Sequence, residues 1–312
     1  MQTRIHTDST PVLPDNKPNW RVLWQLTRPH TLTAGFVPVL IGTALAIQSY
    51  DINVLLFIAM LLACLLIQAA TNMFNEYYDF VRGLDTEESI GIGGAIVRDG
   101  MAPKTVLKLA LSLYGIATML GVYICMESSW WLALIGLICM AIGYLYTGGP
   151  LPISSTPFGE LFAGFFMGFL IIQLAFFIQT GNVTTFSILV AIPIGILVGL
   201  INLSNNIRDL EGDKKNGRKT LAIIIGRKKA VSLLGWMLTL TYIWIICLVA
   251  FETVSPWVLL VLFSVPKAFQ ATKGFIGKTV PIQMMPAMKA TAQTNTFFGF
   301  LLSIGLFISY FL

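Results

Sequence analysis

Residues 53–75 read NVLLFIAMLLACLLIQAATNMFN, twenty-three residues without a charge. A helix needs about 20 mostly apolar residues to cross a bilayer, so this segment alone suffices for one span. Eight further stretches of the same kind lie at 31–49, 105–125, 130–147, 158–179, 186–206, 230–251, 255–270 and 292–312. The whole chain agrees. Of 312 residues, 56% are hydrophobic and 11% charged, less than half the roughly 25% charged share of soluble domains. Too little polar surface is left to coat a water-soluble globule. Four cysteines, all in apolar runs, exclude a disulfide scaffold. No Cys or His pair has the spacing of a structural zinc site, and the hydropathy excludes disorder. The sequence predicts an all-α integral membrane protein with a polar N-terminal tail, 1–30, and a membrane domain of nine transmembrane helices, 31–312.

The net charge is +5, and its placement speaks for membrane topology and against nucleic acid. All 20 Lys and Arg fall in the tail, between stretches two and three with Lys108 just inside the third, between six and seven, and from Lys267 to Lys289. The connections on the opposite side carry only Asp51, Glu127 and Glu252. Basic residues stay on the cytoplasmic side, which predicts an N-terminus inside and a C-terminus, Leu312, outside. The tail holds Pro11, Pro14 and Pro18 and no apolar run, which argues against a cleaved signal peptide. The long, charged connections all lie on the inner face, so the working parts are expected there.

Two polar clusters follow apolar stretches on that face. The second stretch continues as Asn72-Met-Phe-Asn75-Glu76-Tyr-Tyr-Asp79-Phe-Val-Arg82-Gly83-Leu-Asp85. At about 100° per residue, Asn72, Asn75, Glu76 and Asp79 share one helix face. The sixth ends Asn202-Leu-Ser-Asn205-Asn206-Ile-Arg208-Asp209-Leu-Glu211-Gly212-Asp213, with Asn202, Asn205, Asp209 and Asp213 on one face. An acidic side chain at mid-helix costs about 3 kcal/mol on insertion scales. One such cluster could be a helix end emerging into water; two, four spans apart on the same side, ask for a function. Asp and Asn oxygens are hard ligands suited to Mg²⁺, which takes one or two carboxylates and completes its shell with water and phosphate. Two acidic faces across a cavity can hold a diphosphate through bridging Mg²⁺. The interleaved Arg82, Arg98, Arg208, Arg218 and Lys219 suit a departing pyrophosphate and are superfluous in a cation pathway. A cation-coupled transporter is the alternative from another class. Against it stands the parallel placement of both clusters near one surface, unlike inverted repeats with sites at the midplane.

Asn75-Glu76-Tyr-Tyr-Asp79 and Asp209-Leu-Glu-Gly-Asp213 resemble the two aspartate-rich motifs of the UbiA superfamily of intramembrane aromatic prenyltransferases. Two departures stand out: Glu76 where the family usually has Asp, and a third acid placed at Asp85, beyond Gly83. Arg28-Pro29-His30-Thr31-Leu32-Thr33, Tyr146-Thr-Gly-Gly-Pro150, and Asn205-Asn206-Ile-Arg208-Asp209 with Gly217 and Thr220 are similar to the menaquinone-pathway branch. The resemblance runs from about Trp20 to the last stretch. It implies nine helices around a central cavity, open sideways to the lipid bilayer and capped by the two long cytoplasmic loops, in a bacterial cell membrane. It also implies Mg²⁺-dependent ionisation of a polyprenyl diphosphate. The ring of 1,4-dihydroxy-2-naphthoate then attacks, CO₂ leaves from the alkylated carbon, and demethylmenaquinone forms. Transfer to a 4-hydroxybenzoate or homogentisate type of acceptor, or haem farnesylation, are the alternatives within the superfamily.

Under this reading the metal ligands are Asn75, Glu76, Asp79, Asp85, Asp209 and Asp213. Asp79, Asp209, Arg208 and Arg98 carry the catalysis, Arg98 following Gly91-Ile-Gly-Gly94, a loop able to wrap phosphate. Substrate contacts fall to Asn72, Asn75, Asn205, Arg82, Tyr146 and Lys219, and to Arg28 and His30, which read equally well as membrane-surface anchors. Arg208 should brace Asp209 or touch the diphosphate, with Lys219 closer to solvent. Tyr77, Tyr78, Tyr144 and Tyr146 can face an allylic cation or form an interfacial aromatic belt. Met284, Met285 and Met288 read as adaptable packing, and Asn182-Val-Thr184 as an outer-loop turn.

Overall fold

The computed structural model describes residues 20–29, 31–85 and 94–311. Among the described residues every apolar stretch overlaps a helical segment. Five long helices, α3 (Val54–Val81), α4 (Pro103–Glu127), α8 (Thr185–Lys215), α10 (Arg227–Ala250) and α12 (Pro281–Phe311), are long and apolar enough to cross a membrane. A sixth such span is continuous from Gly159 to Thr180. It begins as α6 (Gly159–Ala163), widens to a π-helical segment over Gly164–Phe169 and resumes as α7 (Leu170–Thr180). Two shorter apolar helices, α2 (Thr33–Ala46) and α5 (Trp131–Thr147), accompany them. The eighth stretch is a 3₁₀ segment over Pro256–Ser264 that passes into α11 (Val265–Phe275). Pro256 and Pro266 sit in the first turns of these two segments, where a missing N–H costs nothing. Large apolar side chains such as Met119, Leu137, Trp236 and Phe263 face outward, as they must in a multi-pass membrane protein.

Two short helices complete the described chain, α1 (Trp20–Leu26) and α9 (Leu221–Ile225). α1 lies inside the expected tail, yet Leu26 is buried against Phe74 and Ile96, and Asn72 Nδ2 donates to the Thr27 carbonyl at 2.8 Å. The expected boundary at residue 30 therefore cuts through packed structure.

The helices bearing the motifs outrun their apolar stretches. α3 has 28 residues and α8 has 31, lengths of about 42 and 46 Å against a hydrocarbon core of about 30 Å. Hydropathy marks only the apolar part. The helical backbone satisfies its own hydrogen bonds whatever the side chains, so both helices continue through the motifs. Each then ends in the same turn. Gly83 and Gly217 adopt left-handed backbone, φ 68° and 75°, which only glycine enters freely. Leu84 N–H bonds the Asp79 carbonyl at 2.9 Å, and Arg218 N–H bonds the Asp213 carbonyl at 3.0 Å. Both are Schellman closures, and each folds the following residues back over its aspartate.

A buried cluster including Ile41, Ile172, Ile194, Leu197 and Phe298 joins α2, α7, α8 and α12. Glycines bring α8 and the sixth span nearly backbone to backbone. A Cβ on Gly164 would lie 2.4 Å from the Gly195 carbonyl, and one on Gly199 would lie 2.9 Å from the Glu160 carbonyl. Small residues permit such approach between helices in lipid. The contact sets the first turn of α6 beside Asn202 and Asn206.

Candidate active site

The ends of α3 and α8 meet through one side chain. Folded back by the Gly217 turn, Arg218 places Nη2 3.2 Å from Asp79 Oδ1 and Nη1 3.1 Å from Asp213 Oδ1. One guanidinium therefore joins the two motifs, Arg218 lying 139 residues from Asp79 in the chain. The Gly83 turn returns Asp85 toward the same place, its N–H on the Asp79 carbonyl at 3.4 Å. Burial, and then the neighbouring Asp79 and Glu76 carboxylates, push the Asp85 carboxyl up to about 6.

Arg208 lies one residue before Asp209 and closes on it as a fork, Nε 2.6 Å from Oδ1 and Nη2 2.5 Å from Oδ2. The guanidinium is 7% exposed and the carboxylate 37%, so a buried cation holds an open anion in fixed orientation. Of the two roles expected for Arg208, the geometry is that of a brace. Lys219 is exposed and contributes its backbone N–H to the Ser155 carbonyl at 2.9 Å. Asn75 and Asn205 are half-buried on the faces that carry Asp79 and Asp209.

Other expected site residues are turned to holding the fold. Glu76 is 2% exposed. Its Oε1 accepts Gly94 N–H at 2.7 Å and Ile96 N–H at 3.3 Å, and its Oε2 takes Arg28 Nη2 at 3.4 Å. The longer side chain fastens the segment after residue 93 and the chain before α2 onto α3. Asn72 donates to Thr27 and to Thr31 Oγ1. Arg82 donates to the carbonyls of Thr147 and Gly149 and lies 5.3 Å over the Tyr78 ring; a cation there complements the C-terminal end of α5. Arg98 is exposed, with its guanidinium folded over Gly94. Tyr146 donates to the Gly159 carbonyl at 3.3 Å. His30 and the Gly91–Gly93 part of the proposed phosphate loop lie outside the described residues.

Among the described residues no three acidic, His or Cys groups converge closely enough to enclose a metal. The available donors are Asp79, Asp85 and Asn75 on one side and Asp209, Asp213 and Asn205 on the other. A set of separated hard oxygens fits Mg²⁺, which uses one or two carboxylates with water and substrate phosphate in place of a protein cage. A cavity of about 450 Å³ lies elsewhere, lined by Gln48, Phe186, Glu252 and Leu306, and holds none of these residues.

Two features escape a reading of motifs. The first is the bridging role of Arg218. The second is Glu160, an acid two residues inside the fifth apolar stretch. Its Oε1 accepts Asn206 Nδ2 at 2.8 Å. An ionisable residue within an apolar stretch is itself a functional signal.

The UbiA prenyltransferase family matches residues 35–278. The chain is 65% identical, over 96% of its length and 96% of the relative's, to the 1,4-dihydroxy-2-naphthoate octaprenyltransferase of Bacillus subtilis strain 168. It is 29% identical to human UbiA prenyltransferase domain-containing protein 1, over 90% of this chain and 82% of that one. Among solved structures, a UbiA homolog from Archaeoglobus fulgidus bound to GPP and Mg²⁺ superposes with a TM-score of 0.64 at 17% identity, covering 90% of this chain and 99% of that one. The apo form of a UbiA homolog from Aeropyrum pernix K1 gives 0.65 at 14% identity, covering 90% and 98%.

Proposed function

Because the chain belongs to the UbiA prenyltransferase family, we propose that it transfers a polyprenyl group from polyprenyl diphosphate to 1,4-dihydroxy-2-naphthoate, releasing CO₂ and pyrophosphate and giving demethylmenaquinone. The observation that carries this reading is the 65% identity to the Bacillus subtilis enzyme across 96% of both chains. The meeting of the two acidic motifs around Arg218 supports it from the geometry. Nine membrane crossings surround a central cavity, with the N-terminus in the cytoplasm, the C-terminus outside and the acidic ends of α3 and α8 at the cytoplasmic surface. The six long spans and the one-sided distribution of Lys and Arg support that arrangement.

Asn75, Asp79, Asp85, Asp209 and Asp213 would hold Mg²⁺. When bound, the ion supplies positive charge that offsets the diphosphate and stabilises the leaving pyrophosphate. The chain's own residues do the rest. Arg208 orients Asp209, and Arg218 offers the leaving group a guanidinium already at the junction of both motifs. Glu76 fastens Gly94 and Ile96 onto α3, and a site kept dry prevents water from quenching an allylic cation to an alcohol.

Purified protein in lipid, given the naphthoate, a polyprenyl diphosphate and Mg²⁺, should form a prenylated, decarboxylated product identified by mass. Prenylation of 4-hydroxybenzoate or homogentisate with none of the naphthoate would refute the acceptor assignment.

A further inference from the structure

Beneath the acidic site lies a second polar cluster. Glu160 Oε2 and Asn202 Nδ2 are both buried without a hydrogen-bond partner. They belong to one neighbourhood, where the start of α6 meets α5 and α8. A Cβ on Gly159 would lie 3.1 Å from Asn202 Nδ2 and 3.5 Å from the Tyr146 hydroxyl, and Asn206 holds the other Glu160 oxygen. Lys219 N–H bonds the Ser155 carbonyl at 2.9 Å, so the chain leading into α6 adjoins the turn that carries Arg218. Along α8, Asn206 and Asn202 precede Asp209 by three and seven residues, about 4.5 and 10 Å deeper.

A buried donor or acceptor left unpaired costs about 1–3 kcal/mol and calls for an explanation; here one neighbourhood holds an unpaired acceptor, Glu160 Oε2, and an unpaired donor, Asn202 Nδ2. The pair specifies the ligand: a donor for the carboxylate oxygen and an acceptor for the amide N–H. One hydroxyl group satisfies both. Of the reactants in the proposed function, the diphosphate has no proton to offer and is repelled by a carboxylate, and the prenyl chain has no polar atom. Only the hydroxyls of the naphthoate fit.

We propose, resting on that function, that Glu160 is a catalytic residue: it receives the proton of the acceptor hydroxyl next to the ring carboxylate, with Asn202 donating to the same oxygen. The step balances as follows. The allylic C–O bond of the donor breaks and pyrophosphate leaves with its electron pair. The ring carbon bearing the carboxylate forms the new C–C bond, while the adjacent O–H passes its proton to Glu160 and becomes a carbonyl. The product of that step is a β-keto acid. Its C–CO₂ bond then breaks toward the carbonyl, CO₂ leaves, and Glu160 returns the proton to the oxygen, restoring the quinol and its own carboxylate. No oxidant is required.

Glu160→Gln keeps the shape and an oxygen for Asn206 but accepts no proton. General bases contribute about 10²–10⁴-fold, so kcat for prenylation should fall at least about a hundredfold. Mg²⁺-dependent pyrophosphate release from donor alone should stay within about twofold of wild type. An acceptor methylated on the hydroxyl beside the carboxylate has no proton to give, so wild type and E160Q should use it equally slowly. The assignment is overturned if E160Q prenylates at the wild-type rate, or loses donor-only pyrophosphate release in step with transfer, as a merely structural tie between α6 and α8 would. It is also overturned if the methylated acceptor still separates the two proteins tenfold. Failure of the wild type to prenylate the naphthoate would instead refute the function on which the assignment rests.

Discussion

Arg208→Lys keeps the charge and removes the fork. In the native arrangement two nitrogens hold the two oxygens of Asp209 at 2.6 and 2.5 Å, which fixes the plane of the carboxylate. An ammonium reaches one of them. A hydrogen bond to a charged group contributes about 1.5–3 kcal/mol, and Asp209 is 37% exposed, so the lower end applies, about 1.5 kcal/mol. With the charge retained, the local field barely changes and only the orientation of the ligand is lost. Mg²⁺ must then order the carboxylate as it binds. The expected outcome is a rise of about tenfold in the Mg²⁺ concentration at half-saturation, with kcat close to wild type once Mg²⁺ saturates. Mg²⁺ titrations read by melting temperature and by turnover give both quantities. An unchanged Mg²⁺ midpoint would refute the brace. A fall in kcat that saturating Mg²⁺ does not restore would mean that Arg208 acts on the diphosphate in the transition state.

Arg218→Gln removes the cation between Asp79 and Asp213. All three side chains are 11–18% exposed, so the metal-free protein should lose about 2 kcal/mol, below the 3–5 kcal/mol of a fully buried pair. Calorimetric melting should show the loss, and Mg²⁺ should recover most of it. The Asp85 carboxyl, raised to about 6, carries a definite sign: the metal-free fold favours its protonated form, so that contribution to stability is full below the unfolded value and is lost as pH rises through about 6. Mg²⁺ needs the ionised form, so Mg²⁺ affinity should weaken as pH falls below about 6, a trend that Asp85→Asn removes in a binding titration. Cysteines placed at Asp51, Glu127 and Glu252 should each react with an impermeant reagent outside sealed cells; protection of these sites would refute the proposed topology.

Much of this architecture is legible in the residues because hydropathy and helical periodicity are local properties. The nine apolar stretches overlap helical segments, and the acid-bearing faces of Asn72–Asp79 and Asn202–Asp213 lie within α3 and α8. The same local view places α12 from residue 292, whereas it begins at Pro281, because Gln283 and Lys289 lower the hydropathy without disturbing the helix. α1 and α9 are too short to leave a periodic signal. At the site, periodicity says which side chains share a face and nothing about which distant segment packs there. Glu76 belongs to the acidic face by angle, yet the Gly94 and Ile96 amides reach it first. Arg82 follows the motif by one turn, yet the carbonyls at the end of α5 claim it. Glu160 depends on a glycine contact between α6 and α8 that no single stretch contains.

The two motifs are closed by one device with opposite results. After Asp79 the Gly83 turn brings back an acid, Asp85, and after Asp213 the Gly217 turn brings back a base, Arg218. The pair is therefore alike in backbone and unlike in charge: the first side gathers carboxylates, while the second adds a guanidinium that spans to the first. A site made of two identical acidic ends would repel the diphosphate wherever Mg²⁺ did not intervene. With Arg218 at the junction and Arg208 on Asp209, part of the neutralising charge is covalently fixed, and the carboxylates proposed to hold Mg²⁺ stay separated enough to admit phosphate. The rest of the order follows from one face of α8. Asp213, Asp209, Asn206 and Asn202 descend it in turn, from charged to neutral. Under the proposed function this gradient would set the leaving group near the surface and the acceptor hydroxyl beneath it, with the bond-forming carbon between the two.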